Sequence, residues 1–484
     1  MVRPTYLLFL FLFTLFLHSL GNASLPLIDR DEPRFAEASR EMKQSGDFII
    51  PRINGDFRFD KPPLIYWCQV TAFNVLGDND FAARLPSVLF AALTTMVTAI
   101  WGSRIFGPKV GLCAGLIFAT CLQVFIHSRA AVADMPMIFF FVAASWADWE
   151  RQRRNTLWLW WTFYLSLGLG FLSKGPISLL PMIFSPLQAL ITHKPFRLNL
   201  LSSLGGLGVV LLVVGSWGIP ALITTHGEFF QIGIGKHVVG RSFAAMDHHG
   251  GSGWLGYILF LPFYLVTLFF SFFPWCIFLP KTFVRLRSRI DRDELYLLIT
   301  IVAIFAVFTL VQTKLPHYTL PCFPMLAILM ARGIAADPRF KVVLAASTLA
   351  FLAIALLGFR AIEPFFLSKT IALQALPQIS PETRTASLNY NEQSLIWYFR
   401  SKTYSFHVRL DSIDFARFMN EPGPAICVAN KGSLTKATIN PAWHSFTTSG
   451  YNFARWKLQP TTLLGWHFSL PLPQPLELVT LIKQ

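Results

Sequence analysis

The sequence predicts a polytopic α-helical membrane protein, with about 11 transmembrane helices of roughly 20 residues each and a small C-terminal α/β domain. Three observations carry that prediction. The 484 residues are 54% hydrophobic and only 14% charged, with a mean hydropathy of +0.50, whereas a soluble chain carries about 25% charge. The 47 Phe and 14 Trp suit lipid contact and the aromatic belts at membrane interfaces. Lys and Arg collect in alternate short loops. Such a composition excludes a disordered chain and a set of soluble domains, which would have no way to hide so much apolar surface.

Taken in order, the apolar stretches are 5–20, 84–103, 110–127, 131–147, 157–172, 175–191, 199–223, 254–280, 294–312, 316–331 and 342–360. The first, with Arg3 ahead of a short apolar core, also fits a cleavable signal peptide; read as a span, it orients those that follow. With the N-terminus inside, the six short inner loops hold 16 Lys and Arg, among them Lys281, Arg285, Arg287, Arg289 and Arg292. That is the positive-inside pattern, and it accounts for the net charge of +15 without a nucleic-acid partner. The six cysteines form no CxxC or Cys/His cluster, which argues against a disulfide framework or a cysteine metal site.

An odd number of spans puts residues 363–484 outside, with 11 Lys/Arg and 7 Asp/Glu. There Arg384–Tyr390, Ala425–Ala429 and Leu476–Ile482 read as strands and Glu392–Lys402 as a helix. The expected layout is a membrane domain over 1–362 and a soluble outer domain over 363–484. No internal repeat is visible, which weakens a transporter reading.

The first outer loop, 21–83, is the informative region. Asp31 can cap a helix running to Gln44, with Gly46 ending it. Phe35, Ala38, Ser39 and Met42 share one side, and Glu37, Arg40 and Lys43 mark the polar remainder, so this helix is expected on the membrane surface. A second amphipathic stretch runs from Pro63 to Leu76, just after Asp60 and Lys61. Further polar residues stand at the outer ends of spans: Asp134, Lys174, the loop with His237 and Arg241, and Lys314 to Tyr318.

Ionisable groups beside hydrocarbon mark a functional path by default. Lys61, Lys174, Arg241 and Lys314 suit a phosphate or pyrophosphate. A carboxylate beside them suits a general base that takes a proton from an attacking hydroxyl. Each residue also has a plain structural use, Asp31 as a cap, Asp134 at a helix start, and His237 as a packed side chain. Without chemistry, the same pocket describes a transporter or flippase for a lipid or lipid-linked sugar.

The motifs then show a resemblance. Asp31-Glu32-Pro33-Arg34-Phe35-Ala36-Glu37, Ser45-Gly46-Asp47, Pro51-Arg52-Ile53-Asn54-Gly55 and Asp60-Lys61-Pro62-Pro63 resemble the first outer loop of bacterial aminoarabinose transferases. Ala133-Asp134-Met135-Pro136, Ser173-Lys174-Gly175-Pro176 and Lys314-Leu315-Pro316-His317-Tyr318 continue it in order. Those enzymes are grouped with the protein mannosyltransferases among the GT-C membrane glycosyltransferases. The resemblance covers residues 1–335.

It implies an enzyme of the inner membrane, expected as a monomer, that transfers a sugar with inversion from a polyprenyl-phosphate donor at the periplasmic face. The acceptor would be a lipid A-like lipid, a glycan or a protein. Asp31 matches the loop carboxylate taken as base, and Asp134 a further acid of the cavity. Lys61 and Arg241 match donor-phosphate ligands, with Lys174, Lys314 and Tyr318 in the same cavity. Asp60 and His237 fall where that group holds a divalent metal such as zinc, although Asp60 stands where a Glu is usual. The chain is also shorter than those enzymes, which sets aside aminoarabinose and lipid A as named substrates.

Overall fold

The computed structural model describes residues 2–195, 199–233, 235, 257–434, 440–463 and 466–484, without side chains over 454–471. Each apolar stretch carries helix, though not always as one straight rod. Among the described residues four helices are long and apolar enough to cross a membrane: Asp80–Phe106, Leu200–Thr224, Arg292–Leu310 and Arg339–Phe365. A fifth candidate is the pair Tyr257–Ser271 and Trp275–Ser288, bent by 108°.

The broken stretches have local causes. Pro176 and Pro181 lie in a 3-10 turn, Pro176–Ile183, ahead of helix Phe184–Ile191. Pro316 and Pro321 do the same in Pro316–Cys322 ahead of Phe323–Ile334. Proline lacks the N–H that an α-helical ladder needs, so both stretches begin as tighter turns. Their common core includes Trp101, Trp149, Phe184 and Tyr296.

The C-terminal part holds a five-stranded sheet in the order Val408–Leu410, Arg384–Leu388, Ala425–Asn430, Trp466–Lys483, His444–Leu463. The first three strands are parallel, and the last two form an antiparallel hairpin. Ile426, Val428 and Ile482 face Leu395 and Phe399 of helix Gln393–Phe399. Ala425 and Cys427 join Phe415 and Met419 on the other side. The two-residue alternation along Ala425–Asn430 thus feeds two apolar layers. The hairpin is longer than the expected strand Leu476–Ile482.

In the first loop, helix Asp31–Ser45 ends at Gly46, whose φ of 72° is the left-handed conformation glycine adopts at little cost. Helix Leu64–Leu76 fills the second amphipathic stretch. One expectation is corrected. The polar side of Asp31–Ser45 does not face the membrane surface or water: Glu37 is 0% and Arg40 2% exposed. Helix Gln393–Phe399 packs there instead, and Arg400 forms ion pairs with Glu37 and Glu41.

Candidate active site

A cavity of about 770 Å³ opens between the first loop, the ends of several apolar helices and the C-terminal part. Six of the residues singled out in the sequence line it: Asp31, Asp60, Lys61, Asp134, Lys174 and Tyr318. Its lining also includes the apolar Leu122, Phe125, Ile126, Ile354 and Phe359, with the Arg129 guanidinium 4.2 Å over the Phe125 ring and 5.3 Å over that of Phe359. His237 and Arg241 lie outside the described residues. Lys314 is not brought to the cavity. Its ammonium donates to the carbonyls of Phe308, Thr309 and Val311, capping the unsatisfied end of helix Arg292–Leu310, where a cation is favoured.

Asp31 is the first residue of its helix rather than the cap, and Arg30 occupies the cap position without a side-chain hydrogen bond. The Asp31 carboxylate sits in the first turn, where the helix dipole favours it, and makes no cap hydrogen bond. Its neighbour Glu32 does the fastening. Arg84 donates to it from Nε at 2.9 Å and from a terminal nitrogen at 2.7 Å, and the amides of Ile28 and Ala131 donate to it at 2.8 Å each. Arg84 also donates to the carbonyls of Asn22 and Pro26. A buried carboxylate needs such partners, and this knot fixes the backbone on which Asp31 stands.

On the membrane side, Lys174 Nζ donates to Asp134 Oδ1 at 2.5 Å. His317 Nε2 is 3.8 Å from the same oxygen, and the His317 and His127 rings lie 4.7 Å apart. Lys174 also sits 5.5 Å over the Tyr318 ring. Gln123 Nε2 lies 2.9 Å from His127 Nδ1, and the Ser271 hydroxyl donates to Gln123 Oε1 at 3.2 Å. Donor atoms of His127, Asp134 and His317 all fall within 4.8 Å of one another. Two imidazoles and a carboxylate are residue types that bind zinc, but Lys174 holds Asp134 Oδ1 and Gln123 turns an N–H toward His127 Nδ1, the reverse of the donation that orients a metal-bound imidazole.

On the loop side, Lys61 Nζ donates to Asp60 Oδ1 at 3.0 Å, and Arg58 donates to Asp60 Oδ2 at 3.2 Å. Arg58 Nε is 2.9 Å from the Tyr66 hydroxyl. Arg34 lines the cavity among these groups. Burial and the nearby Arg58 charge lower its pKa, while Asp31 and Asp60 pull it back up. Asp29, also on the wall, is pushed up to about 7 by burial, against the hydrogen bonds from Ser394. The cavity thus brings cations and carboxylates together beside apolar side chains.

Four contributors went unrecognised in the sequence. Arg34 was visible only as part of the cap motif, Arg58 as a lone charge, and His317 as a member of the Lys314–Tyr318 run. For His127, at the end of helix Leu122–His127, no local signal existed.

Residues 60–217 match the family model described as dolichyl-phosphate-mannose-protein mannosyltransferase. An undecaprenyl phosphate-alpha-4-amino-4-deoxy-L-arabinose arabinosyl transferase of Pectobacterium carotovorum is 31% identical over 366 residues, covering 69% of this chain and 62% of that protein. The enzyme of the same name from Yersinia enterocolitica is 31% identical over 319 residues, covering 62% and 54%. The chain thus spans a little over half the length of these curated relatives. The crystal structure of ArnT from Cupriavidus metallidurans bound to undecaprenyl phosphate superposes with a TM-score of 0.72 at 18% identity, covering 99% of this chain and 98% of that one. This last likeness concerns the fold.

Proposed function

We propose, on the premise that this chain is an aminoarabinose transferase-like and mannosyltransferase-like membrane protein of the GT-C type, that it transfers a sugar from a polyprenyl-phosphate donor to an acceptor hydroxyl of a lipid A-like lipid, a glycan or a protein. The observation that supports this reading is the meeting of Asp31, Lys61, Asp134 and Lys174 on one cavity that also has apolar side chains in its lining. Lys61 and Lys174 grip the donor phosphate as point charges, and the apolar side chains receive the first prenyl units. Arg241 belongs with these cations by its motif. The acceptor oxygen attacks the anomeric carbon from the Asp31 side. The bond from that carbon to the phosphate oxygen breaks, and the polyprenyl phosphate leaves with the electron pair.

Asp31 takes the hydroxyl proton as the new bond forms. Attack opposite the leaving phosphate inverts the anomeric centre. Asp134 holds Lys174 in place for the phosphate, so its role is to position a cation. Lys314 belongs to the helix end rather than to the donor set. The working layout places the chain in the inner membrane with about 11 spans over 1–362, the cavity and the 363–484 domain facing the periplasm.

Asp60 faces two cations, Lys61 and Arg58. His127, Asp134 and His317 are the described residues whose donor atoms lie close enough together to share a divalent ion such as zinc, which would supply a Lewis acid beside the phosphate. Zinc titration after chelation, in wild type, His317→Ala and Asp60→Asn, separates this trio from the Asp60 and His237 pair. The matched relatives with a printed activity are transferases, which favours chemistry over a flippase. Purified protein with labelled polyprenyl-phosphate sugar and total envelope lipid is the decisive test. Labelled product is expected, lost in Asp31→Asn; movement of label across the bilayer without product would overturn the reading.

A further inference from the structure

We propose that the segment Gln393–Arg400, more than 350 residues downstream in the chain, is a positioning element for the reacting carboxylate. This rests on the function proposed above and concerns the same cavity. The segment holds the catalytic helix Asp31–Ser45 and its lead-in at three separated points. At the near end, the Ser394 amide donates to Asp29 at 2.9 Å, and its hydroxyl donates to the other Asp29 oxygen. Asp29 lies two residues before Asp31 and lines the cavity. In mid-helix, Arg40 donates to the Trp397 carbonyl at 2.7 Å and stacks 4.1 Å over the Trp397 ring. Farther along, Arg400 pairs with both Glu37 and Glu41.

The second site-bearing strip is tied to the same region. Glu41 accepts from the amides of Asn54 and Gly55. Asn54 exchanges hydrogen bonds with the backbone of His407, 2.6 Å in one direction and 2.8 Å in the other. Trp397 Nε1 and the Tyr398 hydroxyl both donate to Asp80 at the start of helix Asp80–Phe106, at 2.9 and 3.0 Å. The amide of Leu27 donates to that same hydroxyl at 3.0 Å.

The central contacts are buried. Glu37, Arg40 and Trp397 are each 2% exposed or less, and two glutamates are matched by two arginines. A buried set of balanced charges tolerates few arrangements, because shifting one partner strands another. Carboxylate chemistry in turn tolerates little misplacement: about 1 Å can cost about 100-fold in rate. A rigid helix, anchored on its far side by residues that never meet substrate, converts the first condition into the second. Lys174 and Asp134 stand on the membrane wall, away from these ties, so loosening them should reach turnover before it reaches donor binding.

The test compares Ser394→Ala, Arg400→Met and Arg400→Lys with wild type by deuterium exchange at residues 29–37 and by kcat and KM for the polyprenyl-phosphate donor. The expected result is faster exchange at 29–37 in Ser394→Ala and Arg400→Met. With it, kcat should fall about 10-fold or more while donor KM stays within about twofold, and Arg400→Lys should recover part of both. Unchanged exchange overturns the proposal, as does faster exchange with unchanged kcat. A kcat loss as large in Arg400→Lys as in Arg400→Met, following thermal stability alone, overturns it too. Wild-type protein that transfers no sugar removes the proposed function instead, and the exchange data then decide by themselves whether 393–400 holds 29–37 in place.

Discussion

The two walls of the cavity are built differently. On the membrane side, Lys174 donates directly to Asp134, and His317 Nε2 stands 3.8 Å from the same oxygen, on helices already fixed by apolar packing. On the loop side, Asp31 accepts no hydrogen bond among the described residues, and its backbone is held by Glu32, Arg84 and the C-terminal contacts behind it. A preorganised cation needs a counter-charge at rest, or its own repulsion and desolvation would displace it. A base needs the reverse: an uncommitted oxygen on a rigid mount. Under the proposed function, the paired cations Lys174 and Lys61 are the phosphate ligands, one on each wall, and Asp31 on its pinned helix is the base.

Substitutions sharpen that comparison, beginning with the loop wall. Asp31→Asn should lower kcat by about 10²–10⁴-fold with little change in thermal stability, read by product formation and a melting curve on the same preparation. Arg84→Met strikes the mount instead. It leaves Glu32 buried without its charged partner and should cost about 3–5 kcal/mol of stability, seen as lost expression and a lowered melting point before any kinetic effect can be resolved. If Asp31→Asn destabilised as strongly, the distinction between base and mount would break.

On the membrane wall, Lys174→Met should raise donor KM by about 10-fold, worth about 1.4 kcal/mol, with a smaller change in kcat. An effect confined to kcat would move Lys174 from gripping the phosphate to the chemistry itself. The remaining expectation is a pH dependence. Burial lifts Asp29 to about 7, above its ordinary value of about 4. The folded state therefore favours the protonated carboxyl: its contribution is full below about pH 4 and is lost as pH rises through about 7. The melting point of wild type should decline across that window more steeply than that of Asp29→Asn. Glu392 adds to the effect and Arg34 opposes it.

Much of this was legible because it is local. Gly46 ends a helix in the structure where the sequence places its stop, and the Asp60-Lys61 pair stays together. Convergence of Asp31, Lys61, Asp134 and Lys174 followed from one further rule, that charges at the outer ends of spans share a membrane face. The misplaced residues share a cause as well. Lys314 looks like any other outer cation until its distance to three helix-terminal carbonyls is known. The buried side of Asp31–Ser45 has the periodicity of a surface helix because its charges are met by Arg400 and by one another.

What the sequence by itself determined is the solvent each stretch requires. Apolar length, loop charge and turn residues act within some 20 residues, and they set the spans, the outer loop and the list of polar groups available. What only the tertiary structure decided is which of those groups are neutralised. Arg400 on Glu37 and Arg84 on Glu32 join residues far apart in the chain, and pairing energies depend on distance and burial in space rather than on order along the backbone. Among the described residues Asp31 accepts no hydrogen bond on the cavity wall, with the Arg34 charge nearby.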